Sequence, residues 1–156
     1  MMRIEYLADH TDVIPEVAKL HIEFFGRFSA DMTLENRVEK LGGQIGKTSI
    51  PLTLVAFDRE IAIGSASIVE HDLDSRPDLT PWIASVVVRS DYHRQGVGTA
   101  LIRRIEKEAA GLGINKLYLF TPDMEEFYAT MNWVTIGHEM FKGKFEVTLM
   151  EKEIAV

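Results

Sequence analysis

Residues 82–105 constrain the fold more than any other stretch: Trp82-Ile83-Ala84-Ser85-Val86-Val87-Val88, then a short basic turn with two glycines, then a helical pattern. The run Trp82–Val88 is apolar almost throughout, as in a strand covered on both faces by helices. His93-Arg94-Gln95-Gly96-Val97-Gly98 follows, and from Val97 to Ala110 the residues Leu101, Ile102, Ile105 and Ala109 recur on one helical face. The chain must therefore pass from a buried strand through a glycine turn straight into a helix. Such a junction leaves the first helical N–H groups without internal partners. Those amides and the helix dipole together favour a phosphate.

The flanking sequence supplies the remaining elements. Arg3–Leu7 alternates and reads as a first strand. Asp12 is expected to cap a helix carrying Val13, Val17, Leu20 and Phe24 on one face, with Pro15 in its first turn. Thr33 is expected to cap a second, short helix through Leu34, Val38 and Leu41 that Gly42-Gly43 stops. Pro51–Phe57 and Ile61–Val69 read as a hairpin about Asp58-Arg59-Glu60, and residues 70–81 as a polar connection. Lys116–Phe120 is a further strand. Thr121-Pro122-Asp123 has the composition of a helix start, leading to Phe127, Tyr128 and Met131, with Asn132 closing the helix. Trp133–Phe141 and Phe145–Lys152 form a terminal hairpin around Lys142-Gly143-Lys144. The order β-α-α-β-β-β-α-β-α-β-β implies an α/β (α+β) fold, a mixed sheet of about seven strands with helices on both faces. A single domain over residues 1–156 is the expected organisation.

Composition narrows the chemistry. There is no cysteine, which removes disulfides, thiolate zinc sites and a cysteine nucleophile together. No metal site is expected: His10, His21 and His138 lack partners at ligand spacing, and His71-Asp72 alone is too little. No Gly-x-Ser-x-Gly elbow is present for a serine triad. The formal charge of −7 disfavours nucleic acid as a partner and suits a cationic small molecule. No apolar run is long enough for a membrane span. The opening Met1-Met2-Arg3-Ile4-Glu5 has no apolar signal core, so a cytoplasmic location is expected.

In the turn, Gly96 and Gly98 let the backbone bend sharply and approach a ligand, so that the amides of Gln95 to Thr99 converge on a diphosphate, assisted by the Arg94 charge and the Thr99 hydroxyl. A bare Gly-x-Gly also serves ordinary loop-to-helix junctions; here the strand before and the helix after favour the ligand. Two nucleotide motifs fail. The dinucleotide fingerprint needs a third glycine where Leu101 stands, and a Walker loop needs a lysine followed by serine or threonine.

The segment resembles the acyl-coenzyme A loop of the GNAT superfamily of N-acetyltransferases, Arg/Gln-x-x-Gly-x-Gly/Ala, through His93, Gly96 and Gly98. His93 departs from the usual Arg or Gln, which leaves the backbone cradle intact but changes the first side chain. The resemblance runs from Pro51 to about Lys152 and includes Phe127-Tyr128 and Asn132-Trp133, where the family more often has glycine before the aromatic residue. It implies a mostly antiparallel sheet, acetyl-coenzyme A as acyl donor, and a cofactor site of Val86, Val87, Val88, His93, Arg94, Gln95, Gly96, Val97, Gly98 and Thr99. The backbone of Val86–Val88 would pair with the pantetheine arm beside a splayed neighbouring strand and polarise the acetyl carbonyl.

The resemblance also gives Tyr128 the role of general acid to the departing thiolate. A phenol of pKa about 10 can protonate a thiolate whose conjugate acid lies near about 8.5. A tyrosine at this helical position equally suits an amphipathic core. Glu70, His71 and Asp72 end a strand near the expected acceptor side and are candidate substrate-binding residues, as are Tyr6, Glu23 and Phe24; none is singled out as the base. The expected activity is direct transfer of an acetyl group to a primary amine in a ternary complex, the acceptor being a small molecule or a peptide. The alternative is a non-catalytic acyl-coenzyme A sensor on the same fold, and a longer acyl group is a third option. Apolar residues in the terminal hairpin leave room for a homodimer.

Overall fold

The computed structural model describes residues 2–155, so Met1 of the opening segment lies outside them. Seven strands form one open sheet: β1 (Met2–Tyr6), β2 (Leu52–Asp58), β3 (Ile61–Val69), β4 (Trp82–Val88), β5 (Lys116–Thr121), β6 (Val134–Phe141) and β7 (Phe145–Glu153). Their spatial order is β1-β2-β3-β4-β5-β7-β6, and every neighbouring pair is antiparallel except β4 with β5. Four α-helices cover it: α1 (Ile14–Phe25), α2 (Leu34–Gly42), α3 (Val97–Gly111) and α4 (Glu125–Ala129).

The period-two alternation of β2 divides the core between the two faces. Leu54 and Ala56 join Leu101, Ile102 and Ile105 of α3, while Val55 and Phe57 meet Val17 and Ala18 of α1. Both faces of the middle strands are thus dry, which accounts for the unbroken apolar character of β4. Tyr128, Met131 and Trp133 extend the α3 layer toward β7.

Two helix starts differ from the sequence expectation. Asp12 does not cap α1: a 3₁₀ turn at Thr11–Val13 carries the chain into it, and Val13 at the cap position makes no side-chain hydrogen bond. Pro15 does lie in the first turn. The Thr121-Pro122-Asp123 start is displaced to Glu125, because Thr121 stays paired with Thr148 in the sheet. Its hydroxyl instead accepts from the amides of Asp123 (3.4 Å) and Met124 (2.9 Å) and shapes the bend before α4. Thr33 does cap α2, its Oγ1 accepting from the Asn36 amide at 3.1 Å. Asn132 takes the left-handed conformation, φ 70°, just beyond α4.

Candidate active site

β4 and β5 pair at one register position, Trp82 with Tyr118, and then diverge. On its other side β4 stays joined to β3, through Ser65 with Val87 and Gly64 with Val88. The β3–β4 register shifts between Ser65 and Ser67, and Ser85 opposite has φ 55°, a bulge that turns the strand. Val86, Val87 and Val88 consequently run along an opening in the sheet, and all three line a cavity of about 960 Å³. The apolar sequence of β4 foretells the burial but neither the bulge at Ser85 nor the divergence from β5.

The glycine turn stands at one end of that cavity. Gly96 caps α3 with φ 81°, a conformation suited to glycine, and Arg94 before it is also left-handed at φ 63°. Ala100 donates to Gly96 O at 3.0 Å, the first bond of the helix. The amides of Val97, Gly98 and Thr99 ahead of it therefore have no acceptor within the helix. At Gly98 an added Cβ would meet Phe127 Cζ at 3.5 Å and Val88 Cγ2 at 3.7 Å, ordinary contacts. The protein's own packing does not demand glycine there. That donor-rich, open surface fits a diphosphate.

Each sequence-derived residue can now be located. His93, Arg94, Gly96, Val97, Gly98 and Thr99 line the cavity. Gln95 does not; its side chain donates to Asp91 O at 3.2 Å and braces the turn from outside. His93 is anchored, its Nε2 2.7 Å from Val88 O and its ring 5.7 Å from that of Phe24.

Tyr128 enters the same cavity from α4 and is 8% exposed. Its ring stands edge-on to Phe127 (5.1 Å) and Trp133 (6.3 Å). Among the described residues no protein group hydrogen-bonds its hydroxyl. Burial raises its pKa well above the usual phenol value, so it stays protonated.

The three candidates after β3 separate. Glu70 and His71 are exposed and do not line the cavity, whereas Asp72 does. Loss of water pushes the Asp72 carboxyl up to about 6, although the nearby Lys40 and Arg37 charges oppose the rise. Of the other suggested acceptor residues, Phe24 lines the cavity; Tyr6 is turned away and donates to Glu108 Oε1 at 2.5 Å. Glu23 is likewise outside it. The sequence reading missed Arg37, Lys40 and Lys142, which line the cavity, the first two acting on Asp72 and Lys142 on Lys40. The α2 spacing of Arg37 and Lys40, three apart, was the available signal; on a short polar helix it is indistinguishable from a solvated face.

Comparison with known proteins bears on the family and the fold. Residues 16–132 match the Acetyltransferase (GNAT) family. Among solved structures, an aminoglycoside 6'-N-acetyltransferase complexed with coenzyme A superposes with TM-score 0.78 at 16% identity, covering 99% of this chain and 98% of that one. A GNAT-family acetyltransferase from Streptococcus pneumoniae gives 0.72 at 20% identity, over 99% and 100% of the two chains. An N-acetyltransferase from Staphylococcus aureus gives 0.76 at 12% identity, over 99% of each. At these identities the superpositions speak to the fold, while the family match spans the splayed strand, the glycine turn and Tyr128 together. The chain belongs to the GNAT family of acetyltransferases.

Proposed function

We propose that this protein is a cytoplasmic N-acetyltransferase that moves an acetyl group from acetyl-coenzyme A to a primary amine, both being bound at once. The observation that carries the reading is the meeting of three features in one cavity: the gap between β4 and β5, the α3 N-terminus and the Tyr128 hydroxyl. Acetyl-coenzyme A, the donor used by this family, supplies the thioester carbonyl that the amine attacks.

The chain's own residues divide the work. The amides of Val97, Gly98 and Thr99, with Arg94 beside them, hold the diphosphate. The backbone of Val86–Val88 offers strand-like hydrogen bonds to the pantetheine arm, and an amide there stabilises negative charge on the carbonyl oxygen. Tyr128 gives its proton to the leaving sulfur, a role suited to a hydroxyl kept neutral by burial. Asp72, the one carboxylate of residues 70–72 that faces the cavity, receives the proton of the attacking amine. A carboxyl with pKa about 6 is ionised at neutral pH and basic enough for that task. Holding amine and thioester side by side supplies much of the acceleration.

The test is release of the free coenzyme A thiol during incubation of protein, acetyl-coenzyme A and a panel of amines. Because the chain has no cysteine, a thiol reagent sees only the released coenzyme. Amine-dependent release with acetylated product supports the reading; binding of acetyl-coenzyme A with no release across the panel contradicts it.

A further inference from the structure

The acceptor end of the cavity carries a charge arrangement that the overall acidity of the chain conceals. Arg37 and Lys40 lie one turn apart on α2 and line the cavity, and Lys142 of the β6–β7 turn lines it too. Five of the other arginines are matched: Arg3 pairs with Glu5, Arg27 with Asp123, Arg76 with Asp78, Arg89 with Asp91 and Arg104 with Glu108, whereas Arg94, which lines the same cavity at the glycine turn, forms no ion pair among the described residues. The side chains of Arg37 and Lys40 form no hydrogen bond or ion pair among the described residues, although burial lowers the pKa of both. Arg37 is half-buried and Lys40 exposed, so the guanidinium is partly withdrawn from water without an acceptor and would gain one in a filled site.

The nearby carboxylates do not neutralise this group. Asp72 and Asp74 line the same end, and Asp72 feels both cations. Against three cations they leave an excess of positive charge. Asp31 also lines the cavity, exposed like Lys40 and Lys142, but it is not among the charges that act on Arg37 or Lys40, and Asp123 is engaged by Arg27 at 3.8 Å. Apolar surface completes the pocket: Phe120 and Phe141 stack with centroids 5.3 Å apart and both line it.

We propose that the acceptor is an amine bearing its own carboxylate, of the amino-acid type. This deepens the acetyl-transfer reading and rests on it. The carboxylate is held by the fork of Arg37 with Lys40 beside it, the amine points to Asp72 and the thioester, and an apolar side chain lies on the phenylalanines. Arginine suits this task because its planar fork matches a carboxylate in two parallel hydrogen bonds. A polyamine or other multiply cationic acceptor would instead bring positive charge against Arg37, Lys40 and Lys142, which reverses the preference drawn from the net charge of −7. Net charge is a sum over the whole surface, and the pocket does not share it.

Matched pairs that differ only in the carboxylate test this: L-phenylalanine against phenethylamine, L-leucine against isoamylamine, L-lysine against cadaverine. With release of the coenzyme A thiol as readout, the carboxylated member should have the higher kcat/KM, by about ten- to a hundred-fold for a charged hydrogen-bonded group. That ratio should fall toward one in Arg37→Gln, chiefly through KM. Equal or faster turnover of the plain amines by the unaltered protein would overturn the inference while leaving acetyl transfer standing. If no amine is acetylated, calorimetry of the same pairs on protein loaded with coenzyme A decides. Selective association of the carboxylated members then upholds the pocket assignment and removes the enzymatic reading; association without preference, or none, removes both.

Discussion

His93 Nε2 lies 2.7 Å from the carbonyl oxygen of Val88, so the first side chain of the phosphate turn is tied to the last residue of the splayed strand. With Nε2–H donating, this bond holds the glycine turn against the end of β4, the two parts of the proposed cofactor site. The histidine that departs from the family's usual Arg or Gln thus acts as a brace. Its replacement by alanine should weaken acetyl-coenzyme A binding by about three- to ten-fold, the worth of one net hydrogen bond of about 1 kcal/mol. Calorimetric Kd values for the unaltered protein and His93→Ala check this.

The two glycines of the turn should fail in different ways. Gly96 has φ 81°, so Gly96→Ala strains the backbone and should cost about 1 kcal/mol of stability. Gly98 is helical and has room for a methyl group beside Phe127 and Val88. Gly98→Ala should therefore keep its thermal midpoint within a few degrees and, if the proposed binding mode holds, lose about ten-fold or more in affinity, since the methyl group would meet the diphosphate. Paired melting and binding curves separate the two effects.

Tyr128→Phe removes a hydroxyl that has no partner among the described residues and retains the edge-on packing against Phe127 and Trp133. Stability and acetyl-coenzyme A affinity should change little, while kcat falls roughly 10²-fold. Steady-state kinetics with an unchanged kcat would remove Tyr128 from the chemistry.

Asp72 and His21 should leave opposite marks on the dependence of stability on pH. The folded-state pKa of Asp72 is raised to about 6, so between about pH 4 and that value the folded chain holds the proton that the unfolded chain has released. Stability relative to Asp72→Asn should accordingly fall as pH rises through this window. His21 is fully buried, with its Nε2 3.3 Å from Ser65 Oγ and its Nδ1 without a hydrogen-bond partner among the described residues. Burial drives its pKa down to about 3 from 6.5, so the unfolded chain binds the proton first. Stability relative to His21→Gln should rise as pH increases from about 3 to 6.5, with a slope of at most about 1.4 kcal/mol per pH unit. Urea denaturation at a series of pH values measures both.

The same carboxyl should appear in the rate. If Asp72 takes the amine's proton, kcat/KM should rise with pH through an acid limb near 6. Asp72→Asn should abolish that limb and lower the rate roughly 10²-fold. A limb that persists unaltered in the variant would assign the proton to another group.

The sheet was legible because its signals are local and redundant. Trp82–Val88, the alternation of β2 and the four-residue steps of α3 all report burial directly. The α4 start was not, since Thr121 can serve the sheet or a cap, and its pairing with Thr148 decides. Gly96 announced the left-handed turn, whereas Ser85 at φ 55° gave no sign of the bulge that turns β4. At the acceptor end, Arg37 on α2, Asp72 after β3 and Lys142 of the last hairpin come together only through tertiary packing, and no sequence spacing connects them. Charge summed along the chain carries no information about how charge is placed within that cavity.

Titration of acetyl-coenzyme A into the folded protein, followed by heat, probes the central claim most directly. The account predicts one saturable site, competed by coenzyme A and weakened in Gly98→Ala. A protein that shows native circular dichroism and a cooperative melt, yet gives no heat and no shift in its midpoint at millimolar ligand, would contradict it.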